Sequence, residues 1–116
     1  MLQLTPHMKI YAVRDPISFR NRFDGTAAVC RNVHQMDPYA GSLFVFINRC
    51  RTMMRCYLFD GMGEWLCDYR IAQGTFRHWV KSDDLLVTLQ PHLLYLLLRG
   101  GDPAIVTTPP EWKKLT

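Results

Sequence analysis

Between Asp37 and Trp79 the chain alternates apolar, β-branched and aromatic runs with short turn signals. Leu43–Asn48, Met53–Phe59 and Glu64–Ile71 read as strands, joined by residues 48–52 (Asn-Arg-Cys-Arg-Thr) and 60–63 (Asp-Gly-Met-Gly). Connections this short force antiparallel neighbours, so the spacing predicts a three-stranded meander. Placing Phe59 and Glu64 on either side of the Asp-Gly turn sets Leu58 against Trp65, Cys56 against Cys67 and Arg55 against Asp68. Pairing Ile47 with Met53 across the first loop then collects Phe44, Phe46, Met54, Cys56, Leu58, Trp65, Cys67, Tyr69 and Ile71 on one wholly apolar face. The other face mixes Leu43, Val45, Ile47, Met53, Tyr57, Phe59 and Leu66 with Arg55, Glu64, Asp68 and Arg70, and reads as the working surface. A slip of one residue brings charge into the apolar set, so the pattern specifies the register.

The flanks supply cover for this sheet. Ile10–Val13 is a short β-prone run, stopped at Arg14-Asp15-Pro16 and suited to pair with an edge of the meander. Ser18 is an apt N-cap, and Phe19, Phe23, Ala27, Cys30 and Val33 recur at helical spacing, which predicts a helix over the apolar face. Gly25 inside it costs about 1 kcal/mol relative to alanine and implies a close neighbour or a bend. A second helix is predicted from Leu89 to Arg99, capped by Thr88, with Pro91 in its first turn and Gly100 as its stop. Leu93, Leu94, Tyr95, Leu96, Leu97 and Leu98 make it apolar nearly all round, as in helices that are deeply buried or shared with a partner. Leu94, Tyr95 and Leu98 are the candidate partner contacts. Residues 108–111 (Thr-Pro-Pro-Glu) form a capping box before Trp112. The expected fold class is α+β: an antiparallel meander of three or more strands, covered on one face by helices.

Length and composition narrow the picture. A chain of 116 residues suits a single domain spanning 1–116, with 48% apolar residues for its core. The net charge of +4 favours nucleic acid or an acidic protein surface as a partner. Four cysteines lack any CxxC pair or zinc-ligand spacing, and Cys30, Cys56 and Cys67 sit in apolar runs, so the favoured reading is buried, reduced thiols, with no metal and no cofactor. The N-terminus lacks the apolar core of a secretion signal. Leu93–Leu98 is too short to cross a bilayer. The expectation is a cytoplasmic protein with no membrane partner.

No phosphate-binding loop, dinucleotide fingerprint, metal-binding HExxH or nucleophile elbow is present. The Asp60-to-Gly63 segment is a hairpin turn that uses glycine for positive φ, and Asp68 facing Arg55 reads as an ion pair rather than a catalytic acid. The protein is therefore not expected to be an enzyme. The arginines carry more information. Arg49 and Arg51 sit at the tip of the first hairpin, Arg55 and Arg70 on the mixed face, and Arg77 and Lys81 soon after. Tyr57, Phe59, Phe76, His78 and Trp79 are interleaved among them. Guanidinium forks on a projecting hairpin can grip phosphates. The competing reading is a solvated hairpin that carries arginine for solubility.

An ordered set of residues points to a family. Arg20, Phe23-Asp24-Gly25, Asp37-Pro38-Tyr39, Gly41, Leu43 to Phe46, Asn48-Arg49 and Arg51 resemble the small accessory protein of the insertion sequence 66 family, often called TnpB. Tyr57, Asp60-Gly61, Gly63, Leu66, Arg70, Gly74, Phe76 and Trp79 continue the match with ungapped spacing. The likeness covers residues 9–100 and leaves 101–116 as an extension. It departs at Asn21, Arg55 and Tyr69, where lysine is usual, at Arg22, usually glycine, and at Phe59, usually tryptophan. The resemblance implies a non-catalytic factor in bacterial DNA transposition that works beside a separate transposase. Two modes follow from it: contact with element DNA through the arginine hairpin, or a protein adaptor whose arginines meet acidic groups on the transposase. A homo-oligomer is compatible with either.

Overall fold

The computed structural model describes residues 8–102, and the expected terminal turn at 108–112 lies outside them. The elements in chain order are β1 (Ile10–Val13), α1 (Phe23–Asn32), β2 (Leu43–Ile47), β3 (Met53–Phe59), β4 (Glu64–Arg70), β5 (Leu86–Leu89) and α2 (Pro91–Leu98). One five-stranded sheet runs in the order β4-β3-β2-β1-β5. β1 lies parallel to β2 and the other neighbours are antiparallel, which gives an α+β fold.

The β3–β4 hairpin has the register its alternation predicts: Phe59 pairs with Glu64, Leu58 with Trp65, Cys56 with Cys67 and Arg55 with Asp68. Asp60 builds the turn. Its Oδ1 accepts the Met62 and Gly63 amides at 2.9 Å each, and its Oδ2 accepts the Trp65 indole N–H at 2.7 Å. Gly61 takes φ +97°, which its missing Cβ permits.

The β2–β3 pairing differs from expectation by one residue. Ile47 faces Met54, not Met53, and Val45 faces Cys56. The loop causes this shift. Asn48 Oδ1 accepts the Thr52 and Met53 amides at 2.9 and 3.1 Å, and the Asn48 amide donates to the Met53 carbonyl at 3.2 Å. Asn48 thus pairs with Met53 and displaces Ile47 by one position. All of β2 changes face as a result. Leu43, Val45 and Ile47 join Met54 and Leu58 in one core, while Phe44 and Phe46 join Tyr57 in another. Every residue of β2 is buried, as in a central strand covered on both sides.

α1 therefore covers the mixed face, through Ala27 and Cys30 against Phe44, Phe46 and Tyr57. The wholly apolar face is covered instead by Phe76, Trp79, Val80 and the Leu94 and Leu97 side of α2. The Trp79 indole N–H donates to the Val13 carbonyl at 3.0 Å and ties that segment to β1. Two further expectations are corrected. α1 begins at Phe23, because Arg55 takes the carbonyls of Phe19 and Asn21 and holds that stretch out of the helix. Thr88 and Leu89, expected as the cap and first residue of the second helix, belong instead to a strand, Leu86–Leu89, beside β1, and α2 starts at Pro91 with Gln90 as its N-cap. The helical Gly25 has its close neighbour: a Cβ there would lie 2.6 Å from the Asn21 Cβ.

α2 grades from core to surface, with Leu93, Leu96 and Leu98 half-buried. Leu97 is fully buried and Leu94 nearly so, while Tyr95 is 52% exposed. Leu97→Ala is expected to lower unfolding stability by about 2–5 kcal/mol. Tyr95→Ala should stay within about 0.5 kcal/mol of wild type. Urea denaturation of the two variants checks both values.

Candidate nucleic-acid interface

The topology sends several chain segments to one end of the sheet. β1, β2 and β4 end there, and β3 and β5 begin there. The loop between β2 and β3 carries Arg49 and Arg51, both exposed. The segment after β4 is fastened to this loop. The Ile71 amide donates to the Thr52 carbonyl at 3.0 Å, the Phe76 amide to the Arg51 carbonyl at 2.7 Å, and Arg51 Nη1 to the Arg77 carbonyl at 3.2 Å. Arg77, exposed, is thereby held beside Arg51. On the other side of the loop a cleft of about 560 Å³ is lined by Ile17, Ser18, Phe19, Arg20, Asn48, Arg49 and Cys50. It contains two arginines and, among the described residues, no carboxylate. Arg20, Arg49, Arg51 and Arg77 thus share one end of the molecule.

Arg51 adopts φ +57°, a left-handed conformation uncommon for a residue with a Cβ. The turn would accept glycine or asparagine more readily. A long cation kept in such a backbone state is a reason to look for function at that position.

The other basic residues expected at the site are placed differently from one another. Arg55 is 0% exposed. Its Nε and Nη2 form a fork to Asp68 at 2.7 and 3.0 Å, its Nη1 reaches Thr26 Oγ1 at 2.9 Å and the Asn21 carbonyl, and Nη2 also bonds the Phe19 carbonyl at 3.0 Å. No donor is left for a phosphate, and α1 covers the face that the sequence marks as the working surface. Arg70 is exposed where the edge strand β4 ends, opposite Met53 and so at this same end of the sheet, on its Arg55–Asp68 side. Lys81 is exposed in the segment before β5, with Asp83 and Asp84 close to it in sequence and Arg14 bonded to the Ser82 carbonyl at 3.0 Å.

The candidate partner contacts also separate. Leu94 is 2% exposed and belongs to the core. Tyr95 and Leu98 line a shallow cleft of about 380 Å³ with Tyr69 and Arg99. Aromatic residues interleaved in the basic run are mostly structural: Tyr57, Phe76 and Trp79 are buried. Burial, with the bond to Glu64, pushes the Tyr57 phenol well above its ordinary range, so it stays a donor to that carboxylate. Burial pushes the Cys30 and Cys56 thiols up to about 12, which makes them poor nucleophiles at neutral pH. Among the described residues no three His, Cys, Asp or Glu side chains gather as metal ligands. No described helix is long and apolar enough to cross a membrane.

Residues 8–107 match the family described as IS66 Orf2 like protein, and the chain belongs to that family. It is similar to the uncharacterized protein y4jC of Sinorhizobium fredii, with 30% identity over 95 residues, 82% of this chain and 80% of the relative. It is also 26% identical over 102 residues to the uncharacterized protein y4hO of the same organism, with 88% of each chain covered. No solved structure matches. Membership ties the chain to insertion-sequence transposition as an accessory protein.

Proposed function

We propose that this protein is a non-catalytic factor of bacterial DNA transposition that grips duplex DNA with its arginine end and acts beside the separate transposase of its element. The observation that carries the reading is the convergence of Arg20, Arg49, Arg51 and Arg77 from three separate segments onto one end of the sheet. Each guanidinium there can fork to a phosphate oxygen pair, and none lies in a base-reading helix. The grip is therefore one of position and charge rather than sequence. Tyr95 and Leu98, beside Tyr69 and Arg99 on the opposite side of the sheet from α1, are assigned to the transposase contact.

Phosphate binding has a thermodynamic signature. Four contacts release condensed counterions, so the log–log dependence of affinity on salt should have a slope of about −3.6. Between 50 and 200 mM salt the affinity should fall by about 150-fold. Fluorescence anisotropy with a duplex from the element's end and an unrelated duplex of equal length checks this. Similar slopes on both duplexes are expected. Absence of binding at 50 mM salt, with transposase binding intact, would instead establish the adaptor reading.

A further inference from the structure

β4 is the edge of the sheet, seven residues long and free of proline. Its two sides differ. The Asp60 amide bonds the Gly63 carbonyl at one end of the β3–β4 ladder, and the Ile71 amide bonds the Thr52 carbonyl at the other. Antiparallel ladders alternate hydrogen-bonded and non-hydrogen-bonded pairs, so Trp65, Cys67 and Tyr69 turn their backbone groups toward β3. Glu64, Leu66, Asp68 and Arg70 turn theirs outward. Among the described residues no strand pairs with this row, and such a row is a template for another strand.

We propose that the strand it takes is β4 of a second copy of this chain, antiparallel, about a two-fold axis at Cys67. The register is self-complementary. Centring on Cys67 places Glu64 opposite Arg70 of the second copy, Trp65 opposite Tyr69, and Cys67 opposite Cys67, each pair occurring as its symmetry mate requires. The hydrogen-bond parity agrees: outward-facing residues meet outward-facing residues, and Trp65, Cys67 and Tyr69 fall in the closer non-hydrogen-bonded pairs. Tyr69 is 50% exposed and Trp65 partly so, leaving both rings with surface to cover. Both hairpin ends then carry a Glu–Arg pair, and opposite charges across a ladder are the favourable arrangement. Two copies joined in this way form a ten-stranded sheet whose arginine ends point in opposite directions. On the reading proposed above, such a pair would hold two separate duplexes.

Arg70 is exposed at the strand end, so Arg70→Glu should leave the melting temperature of the dilute monomer unchanged while setting glutamate against glutamate twice in the pair. In sedimentation at concentrations on the order of 0.1 mM, suited to a small interface, wild type should sediment as a dimer. Arg70→Glu should weaken association roughly tenfold or more. Register is read separately in a Cys50→Ser/Cys56→Ala background. There diamide, which takes up the two electrons and two protons released by a pair of thiols, should link two chains through Cys67. A wild type that is monomeric throughout would overturn the proposal. So would a dimer that ignores Arg70→Glu and yields no Cys67 link. Neither outcome touches DNA binding by the monomer, which the salt titration reads independently.

Discussion

Replacing Arg55 with methionine should remove about 3–5 kcal/mol of unfolding free energy, a large share of what a domain this size possesses. The side chain is fully buried, and its guanidinium joins three parts of the chain. It forks to Asp68 on β4, bonds Thr26 in α1 and takes the Phe19 and Asn21 carbonyls in the stretch before that helix. The plane also lies 4.3 Å from the centroid of the Phe19 ring. Methionine fills the volume but leaves a hydroxyl and two carbonyls without their donor, and buried groups left unpaired cost the most. Asp68→Asn should be milder, because the Asp68 side chain is 20% exposed and water can replace part of its bonding. Denaturant midpoints of the two variants check the ranking. A loss below about 1 kcal/mol for Arg55→Met would mean that the network contributes no more than one ordinary hydrogen bond.

The same residue connects stability with the site. The carbonyls it binds belong to Phe19 and Asn21, on either side of Arg20. Arg20 reaches the cleft beside Arg49 because this backbone is fixed from below. An arginine expected on the binding surface thus acts inside the fold, as the support for one that is on it.

What the sequence reveals follows from where its pattern has a period. The β3–β4 hairpin was legible because an Asp-Gly turn sits between two runs of strict alternation, and each constrains the other. β2 reads Leu-Phe-Val-Phe-Ile, apolar throughout, so nothing in it says which side faces which core. Its register depended on the loop, where the Asn48 side chain and the left-handed Arg51 shift the pairing by one. β5 was hidden because Leu86–Leu89 runs on toward a leucine-rich helix with only Gln90 between them. Arg49 and Arg51 could be placed on a tip from sequence. That Arg20 and Arg77 come to the same tip is a consequence of tertiary contacts, and only the family resemblance singled out Arg20 beforehand.

The account rests on the arginine end, and one comparison tests it most directly: the salt slope of duplex binding for wild type against the Arg49→Ala/Arg51→Ala/Arg77→Ala variant. These side chains are exposed and the backbone bonds of the loop do not require them, so the variant should fold as wild type does. Only the Arg51 Nη1 bond to the Arg77 carbonyl is lost, at an exposed site. Arg51→Gly serves as a single-site control, since glycine suits φ +57° and should weaken binding without loss of stability. Removing three phosphate contacts should flatten the slope by about 2.7, leaving a fall of only about 3.5-fold between 50 and 200 mM salt. The effect should be equal on terminal and unrelated duplexes. An unchanged slope in a folded triple variant would contradict the account and take the DNA contact away from this end of the sheet.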